Sequence, residues 1–334
     1  MQNEPIIALS TSFFHGKISD AYEMLQRAAE MGFKHVELGH TTTVSMVDGI
    51  EKAVAEGAIK VSSLHNFCPI PPFATPPAPN FYSPATASKR ESAQWVRHTK
   101  NTLSFAERLG ASRVVTHAGE LSYFWGSPKF KLGAEFAELL ELRAEIAERA
   151  EEGGSEALKE RLERLEELYG RNIADFVKKS ERKSAKAHDR IFKNLEEINS
   201  DLSEKKLLLG VENRDGYCEL PFDTKFAEFA KRACGLSNVR AWIDIGHVAV
   251  KSLRGVVDFE KFVEEAAPYI CGWHLHDCTS ESKDHKALGQ GCINFDFVKK
   301  YFDAEKHVFT LELSPKVRTQ EAVDSRLKLE DMFA

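Results

Sequence analysis

Short apolar segments alternate with longer amphipathic ones along this chain, and this alternation is the feature that most constrains its fold. The apolar segments have the length of buried strands, and the amphipathic ones show helical spacing and end near glycines such as Gly32, Gly57 and Gly110. Eight strand-then-helix units predict an α/β fold, a closed parallel (β/α)₈ TIM barrel. A doubly wound open sheet is the alternative, but no glycine-rich phosphate loop follows any strand. The predicted strands are IIALSTS (6–12), HVEL (35–38), KVSSL (60–64), SRVVTH (112–117), KLLLGVE (206–212), VRAWID (239–244), ICGWHL (270–275) and HVFTLE (307–312).

One connection is much longer than the others. Residues 121–205 separate the fourth strand from the fifth, and this charged segment carries apolar or aromatic residues at helical spacing. We therefore predict a single TIM-barrel domain over residues 1–334, with a helical excursion at 121–205 that forms a hairpin. A surface decoration, a dimerisation arm and a cover for the active site all remain open. The residues with helical spacing are Leu158, Leu162, Leu165 and Tyr169, then Ile191, Leu195, Ile198 and Leu202.

Composition restricts the partners. The formal net charge of −6 provides no overall attraction to nucleic acid or to an anionic membrane. No apolar run approaches the length of a membrane span, and residues 1–15 lack the pattern of a signal peptide. The six cysteines form no C-x-x-C pair. We expect a cytoplasmic protein that binds no membrane, with nucleic acid disfavoured as a partner, and a homo-oligomer is left open.

Possible metal ligands recur where the predicted strands end. Active-site residues of (β/α)₈ barrels lie at these carboxyl ends. Glu212 and Glu312 each follow an apolar run, and a buried glutamate without a partner is costly. Several carboxylates meeting at one mouth repel one another unless a cation is present. Mixed nitrogen and oxygen ligands favour Mn²⁺, Zn²⁺, Co²⁺ or Fe²⁺. Taken singly, a histidine such as His117 or His276 could instead be a structural, hydrogen-bonded residue. The residues of this set are His65, His117, Glu212, Asp244, His247, His274, His276, Asp277, Asp284, His285 and Glu312.

Five motifs together resemble the xylose isomerase-like TIM-barrel superfamily, which includes sugar phosphate isomerases and epimerases, inosose dehydratases and endonuclease IV (AP endonuclease family 2). The resemblance implies one metal ion held by Glu212, Asp244, His274 and Glu312. His247 and His285 match positions that bind a further metal or the substrate, and His65 and His117 match two histidines of the endonuclease's multi-zinc site. Lys283, not Asp284, stands where the endonuclease has its acid. The motifs are VENRDGY (211–217), WIDIGH (242–247), WHLHD (273–277), DHKALGQG (284–291) and LELSP (311–315).

The first predicted function is a metal-dependent sugar, sugar-phosphate or keto-sugar isomerase or epimerase, or a related lyase or dehydratase. Glu212 and Glu312 would be the catalytic carboxylates that transfer a proton next to a carbonyl. Ketose 3-epimerases of the superfamily carry a Glu and an Arg where this chain has Cys218 and Ser280, which argues against epimerisation of free ketohexoses at C3. The partner is a small-molecule carbohydrate. The residues predicted to bind it are His65, His117, His247, His285, Phe67 and Trp125, with Phe13 and Trp273 as further walls of the pocket.

The second is an endonuclease IV-like multi-zinc phosphodiesterase acting on abasic DNA. The match of His65 and His117 to two histidines of the endonuclease's multi-zinc site supports this function. Two observations argue against it: the chain carries net negative charge, which repels a DNA backbone, and Cys68 and Pro69 stand where the endonuclease has the Tyr-Leu pair that it inserts from this loop. A third interpretation, a non-catalytic binding module, predicts lost ligands, and none of the four is missing. We expect a single ion, with His65 and His117 hydrogen-bonded to substrate hydroxyls or to the free oxygen of a metal-bound carboxylate.

Overall fold

The chain closes into a barrel of eight parallel strands. In this computed structural model, which describes residues 4–75, 77–123, 126–149 and 156–333, each strand pairs with the next, and the first pairs with the last through Ile6–Val308 and Leu9–Leu311. The predicted TIM barrel is therefore confirmed. The strands are β1 (Ile6–Ser10), β2 (His35–Leu38), β3 (Lys60–His65), β4 (Arg113–Thr116), β5 (Leu208–Glu212), β6 (Val239–Asp244), β7 (Ile270–Leu275) and β8 (Val308–Leu311).

Helices surround the barrel in the order expected of strand–helix units. Asp20 caps the first helix by accepting from the Glu23 backbone N–H at 2.8 Å. The helices outside the β4–β5 connection are α1 (Ala21–Glu30), α2 (Val47–Ala55), α3 (Lys89–Arg108), α6 (Phe226–Ala233), α7 (Ile245–Leu253), α8 (Phe259–Ala266), α9 (Phe295–Val298) and α10 (Thr319–Asp331). No helix within the described ranges combines the length and the hydropathy that crossing a bilayer requires.

The predicted helical insertion between β4 and β5 contains α4 (Pro128–Glu148) and α5 (Glu156–Glu204). The two helices run antiparallel, and Arg143 on α4 donates to Glu166 on α5 at 2.7 Å. The second half of α5 serves as the fourth barrel helix, because Ile191, Leu195, Ile198 and Leu202 are all fully buried there. In the first half, Tyr169 is buried, whereas Leu158, Leu162 and Leu165 are only partly so. The assignment of residues 1–334 to one domain stays a prediction.

Trp242 forms a layer of the barrel interior beneath the strand ends. It packs with Val115, Cys271 and Val308, and its ring lies 5.2 Å from that of His274. A Cβ atom at Gly272 would come within 2.2 Å of the Trp242 ring, so this position requires glycine. The tryptophan thus closes the barrel directly below the predicted ligands.

Candidate metal centre

Four carboxyl-terminal strand ends bring the four predicted ligands together. Glu212, Asp244, His274 and Glu312 each offer one ligand atom, and these atoms all lie within 4.8 Å of one another. The Nδ1 atom of His274 lies 3.1 Å from Glu212 Oε1, 2.9 Å from Glu312 Oε2 and 3.8 Å from Asp244 Oδ2. Glu312 is 7% exposed and the other three are fully buried. Their role as ligands stays a proposal.

The donor set fits a divalent cation. The Nε2 atom of His274 lies 3.0 Å from Glu37 Oε1, and an Nε2–H group that donates to this carboxylate leaves the Nδ1 lone pair facing the three other carboxylates. Three buried carboxylates and a lone pair directed at one point repel one another unless positive charge lies between them. A histidine with a carboxylate behind it is also a common arrangement at metal ions.

Glu37 is a buried carboxylate beside His274 that the sequence analysis missed. It lies on β2 and is fully buried, and its Oε2 atom accepts from the Ser63 hydroxyl at 2.8 Å. The signal was present, because a glutamate inside the apolar run HVEL raises the same question as Glu212 and Glu312. It was overlooked because Glu37 lies one residue before the last residue of its strand.

His65 and His117 converge on the other oxygen of Glu212. Their Nε2 atoms lie 3.3 and 3.0 Å from Glu212 Oε2. Their Nδ1 atoms lie 3.1 Å from the Asn66 carbonyl and 2.9 Å from the Asn80 side-chain oxygen, two acceptors that favour a proton on Nδ1. In that tautomer both Nε2 lone pairs face a carboxylate oxygen, and His117 Nε2 is buried without a hydrogen-bond partner among the described residues. This group is therefore a second place that could hold a cation.

His247, His276 and His285 form a third group of potential ligands. His276 Nε2 lies 2.9 Å from Asp244 Oδ1, while its Nδ1 accepts from the His285 backbone N–H at 2.8 Å. Both nitrogens of His276 are thus used in holding Asp244 and the loop. His285 Nδ1 lies 2.8 Å from the Glu312 carbonyl oxygen, to which it can donate. A Cβ atom at Gly246 would come within 1.9 Å of the His276 ring, so this approach depends on glycine.

Asp277 and Asp284, the two acids of the loop after β7, do not join the four predicted ligands. The Asp277 carboxylate accepts from the backbone N–H groups of Cys278, Gly289, Gly291 and Ile293, at 2.9 to 3.2 Å. Asp277 therefore holds the loop that contains LGQG (288–291) in place through these backbone hydrogen bonds. Asp284 belongs to none of the three candidate groups found among the described residues.

Two further residues at the mouth were missed by the sequence analysis. Arg214 Nη1 lies 3.3 Å from Glu212 Oε1. The His40 ring lies 5.1 Å from that of His65, and its Nδ1 is buried without a hydrogen-bond partner in the described part of the chain. Burial, assisted by His65, lowers the pKa of His40 to about 3, so this imidazole is neutral at physiological pH.

Burial and charge oppose each other in setting the pKa values of the ligands. Burial alone would raise the pKa of Glu212, but the Arg214 guanidinium and then His117 and His274 outweigh it and hold that pKa well below its ordinary value. Burial raises the pKa of Asp244 to about 6. Burial would lower the pKa of His274, but surrounding carboxylates, Glu37 first, raise it well above its ordinary value. Glu212 is therefore anionic at neutral pH, and a cation must displace a proton from His274.

The four aromatic residues predicted to line the pocket differ in their surroundings, and Phe67 and Phe13 as pocket walls stay predictions. Phe67 is buried with its ring against Tyr82 and His98, and Phe13 is buried beneath the Lys17 ammonium. Trp125 lies outside the described residues. The wall predicted at Trp273 is wrong. Its side chain is fully buried and its Nε1–H donates to His307 Nδ1 at 3.1 Å, because adjacent strand residues face opposite sides and His274 faces the barrel interior.

Comparison with known proteins identifies the family. The family model of the xylose isomerase-like TIM barrel matches residues 146–329, more than half of the chain. The chain therefore belongs to the xylose isomerase-like TIM-barrel family, as the motifs predicted. A curated relative is an uncharacterized protein of Methanocaldococcus jannaschii, 26% identical over 131 residues. That match covers 39% of this chain and about half, 49%, of the relative.

Three solved structures share the fold over nearly the whole chain. A D-tagatose 3-epimerase-like protein has a TM-score of 0.64 at 15% identity, with 98% of this chain and 97% of that chain covered. The 3-keto-D-glucoside 4-epimerase from E. coli has a TM-score of 0.63 at 10% identity, covering 98% and 99%. The IOLI protein with a zinc atom has a TM-score of 0.62 at 11% identity, covering 98% and 97%. At these identities the likeness establishes the fold alone.

Proposed function

We propose that this protein is a metal-dependent isomerase or epimerase of a sugar, sugar phosphate or keto sugar, working by proton transfer next to a carbonyl. The observation that carries the proposal is the convergence of Glu212, Asp244 and Glu312 on His274 Nδ1, at 2.9 to 3.8 Å. The sugar epimerases among the structural neighbours support the same reaction class. A lyase or dehydratase that begins with the same proton abstraction falls within the proposal.

The proposed cofactor is a divalent ion, Mn²⁺, Zn²⁺, Co²⁺ or Fe²⁺, held by Glu212, Asp244, His274 and Glu312. It would supply Lewis-acid polarisation of the substrate carbonyl. His274 is oriented for this by Glu37 at 3.0 Å, and Asp244 by His276 at 2.9 Å.

The two catalytic carboxylates have unequal surroundings. Glu212 is fully buried and lies within 3.3 Å of Arg214, His65 and His117. Glu312 is 7% exposed, so among the three carboxylates of the proposed centre it is the one that reaches the open mouth. We therefore assign the proton abstraction to Glu312, which would pass its proton to solvent through the open mouth. Glu212 lies on the other face, where it would deliver a proton taken up from solvent. His65, His117, His247 and His285 would hold the hydroxyls of a carbohydrate substrate between these two carboxylates.

One observation favours a second candidate, an endonuclease IV-like multi-zinc phosphodiesterase. The group of His65, His117 and Glu212 offers a second ion site, and clamping a phosphodiester calls for more than one ion. Against it stands the net charge of −6, which provides little attraction to a DNA backbone.

Hydrogen exchange separates the two functions. The protein would be loaded with Mn²⁺ or Zn²⁺ and incubated in D₂O with a panel of keto sugars and sugar phosphates, and proton NMR would follow the signal next to the carbonyl. We expect metal-dependent loss of this signal for at least one compound, and no loss with Glu312→Gln. A parallel incubation would offer a duplex with one abasic site. Incision of the duplex with no exchange in any sugar would contradict the proposal and favour the phosphodiesterase.

A further inference from the structure

The Arg214 guanidinium lies between two of the candidate ligands. Its Nη1 atom is 3.3 Å from Glu212 Oε1 and 3.4 Å from His247 Nδ1. The side chain is only 18% exposed. A positive charge is therefore built into the edge of the centre, at the place where an ion bridging Glu212 and His247 would lie.

Residues of the β5–α6 loop hold this guanidinium from the other side. Its Nε atom is 3.5 Å from Glu219 Oε1, and its Nη2 atom is 3.6 Å from Asp215 Oδ1. Glu219 is fixed in turn, because its Oε2 accepts from the Gly216 backbone N–H at 2.7 Å. A Cβ atom at Gly216 would come within 2.6 Å of that oxygen, so the loop depends on glycine here. None of these three loop residues is among the proposed metal ligands.

Two histidines of the group of His247, His276 and His285 have hydrogen-bond partners within the protein. His276 uses both ring nitrogens, at 2.9 Å from Asp244 and 2.8 Å from the His285 backbone N–H. His247 Nδ1 lies 3.2 Å from the Asn213 carbonyl oxygen as well as 3.4 Å from Arg214 Nη1, so it faces an ion with a lone pair only in the tautomer that carries the proton on Nε2. The group of His247, His276 and His285 therefore does not present three free lone pairs to an ion, although its atoms are close together.

We propose that Arg214 is the fixed cation of this centre and takes the place of a metal ion between Glu212 and His247. The inference rests on the metal centre of the proposed function but not on the reaction. It limits ions to the four-ligand group and the group of His65, His117 and Glu212. The clamp of three ions that a phosphodiesterase could use is then unavailable. The N–H groups of the Arg214 guanidinium that do not donate to Glu212 or to the loop carboxylates can then donate to substrate oxygens.

Zinc stoichiometry tests this directly. Wild type, Arg214→Met and Arg214→Met/His247→Gln would be dialysed against the same excess of zinc, and bound zinc per chain would be measured by elemental analysis. Arg27→Met is the matched control, because Arg27 is an exposed arginine on α1 that pairs with Glu30 at 2.9 Å. We expect Arg214→Met to bind one zinc more than wild type, and both the double variant and the control to match wild type. An unchanged count in Arg214→Met would overturn the inference.

Crystals of the wild-type protein soaked in zinc provide a second test that does not depend on the folding of a variant. We expect the Arg214 guanidinium to stay beside His247, with no anomalous peak at His247 Nδ1. A zinc peak there would overturn the inference. Failure of the reaction is a separate result: absence of proton exchange together with the expected zinc counts would contradict the proposed isomerase or epimerase and leave the role of Arg214 intact.

Discussion

Replacing Glu37 with glutamine removes the negative charge behind His274 and keeps the shape of the side chain. In the native protein Glu37 Oε1 lies 3.0 Å from His274 Nε2, and its Oε2 accepts from Ser63 at 2.8 Å. A glutamine can still accept from the imidazole but no longer stabilises positive charge on it. We therefore expect Glu37→Gln to weaken metal binding without unfolding the barrel.

The expected magnitude follows from the burial of this pair. Loss of such a supporting carboxylate typically lowers metal affinity by 10- to 100-fold, about 1.4–2.7 kcal/mol. Both Glu37 and His274 are fully buried, so solvent and salt screen their interaction little. We expect the upper part of this range, roughly 30- to 100-fold.

Competition with a chromophoric chelator would measure the metal Kd of the wild type and the variant. Glu135→Gln is the control, because Glu135 is a partly buried carboxylate on α4 that accepts from Asn172 at 2.8 Å. It should leave the Kd unchanged. A folded Glu37→Gln protein whose Kd stays within about twofold of wild type would refute the claim that Glu37 tunes His274.

Three further predictions concern catalysis, ion number and acid stability. Chelation should abolish turnover, and Glu212→Gln and Glu312→Gln should each lower kcat by roughly 100-fold or more with less effect on substrate binding, because an amide cannot take up a proton. His65→Gln combined with His117→Gln should leave about one bound metal per chain while turnover falls, as elemental analysis and kinetics would show. Burial lowers the pKa of His307 to about 4, so its stabilisation is complete above pH 6.5 and is lost as the pH falls through 4. His307→Gln should reduce this loss by up to about 3 kcal/mol in denaturant unfolding measured between pH 7 and 4.

Each of these has an outcome that contradicts it. Near-native turnover in a metal-loaded Glu312→Gln protein would remove that residue from proton transfer. A fall from two bound ions to one in the double histidine variant would show that His65 and His117 hold a second ion. An unfolding free energy with the same pH dependence in wild type and His307→Gln would show that His307 titrates normally in the folded protein.

The barrel could be predicted because it depends on a repeated local pattern, which also placed many candidate ligands at the strand ends; the family resemblance then implied which four of them form the proposed centre. Apolar runs recur eight times, and Glu212 and Glu312 stand at the ends of two of them. The direction of Trp273 was also within reach, since strand alternation turns it away from the side that His274 faces. Helix α7 could not be delimited from the sequence, because IGHVAV continues the apolar run of β6 without a turn residue and hydrophobic periodicity alone does not mark its start.

The surroundings of the proposed ligands depend on contacts between distant parts of the chain. Glu37 meets His274 across 237 positions of sequence, and only the closed barrel brings them together. Arg214 is placed by a turn in which Gly216 and Glu219 contact each other, a loop conformation that residue types alone do not specify. Neither apolar periodicity nor the motifs contain such information.

Anomalous diffraction from crystals loaded with Mn²⁺ or Zn²⁺ tests the central claim most directly. Data collected on both sides of the metal absorption edge would locate each bound ion without reference to activity. We predict a strong peak within ligand distance of Glu212, Asp244, His274 and Glu312 together. A fully loaded crystal with no peak among these four side chains, or with its ion bound elsewhere in the barrel, would contradict the metal centre proposed for this protein.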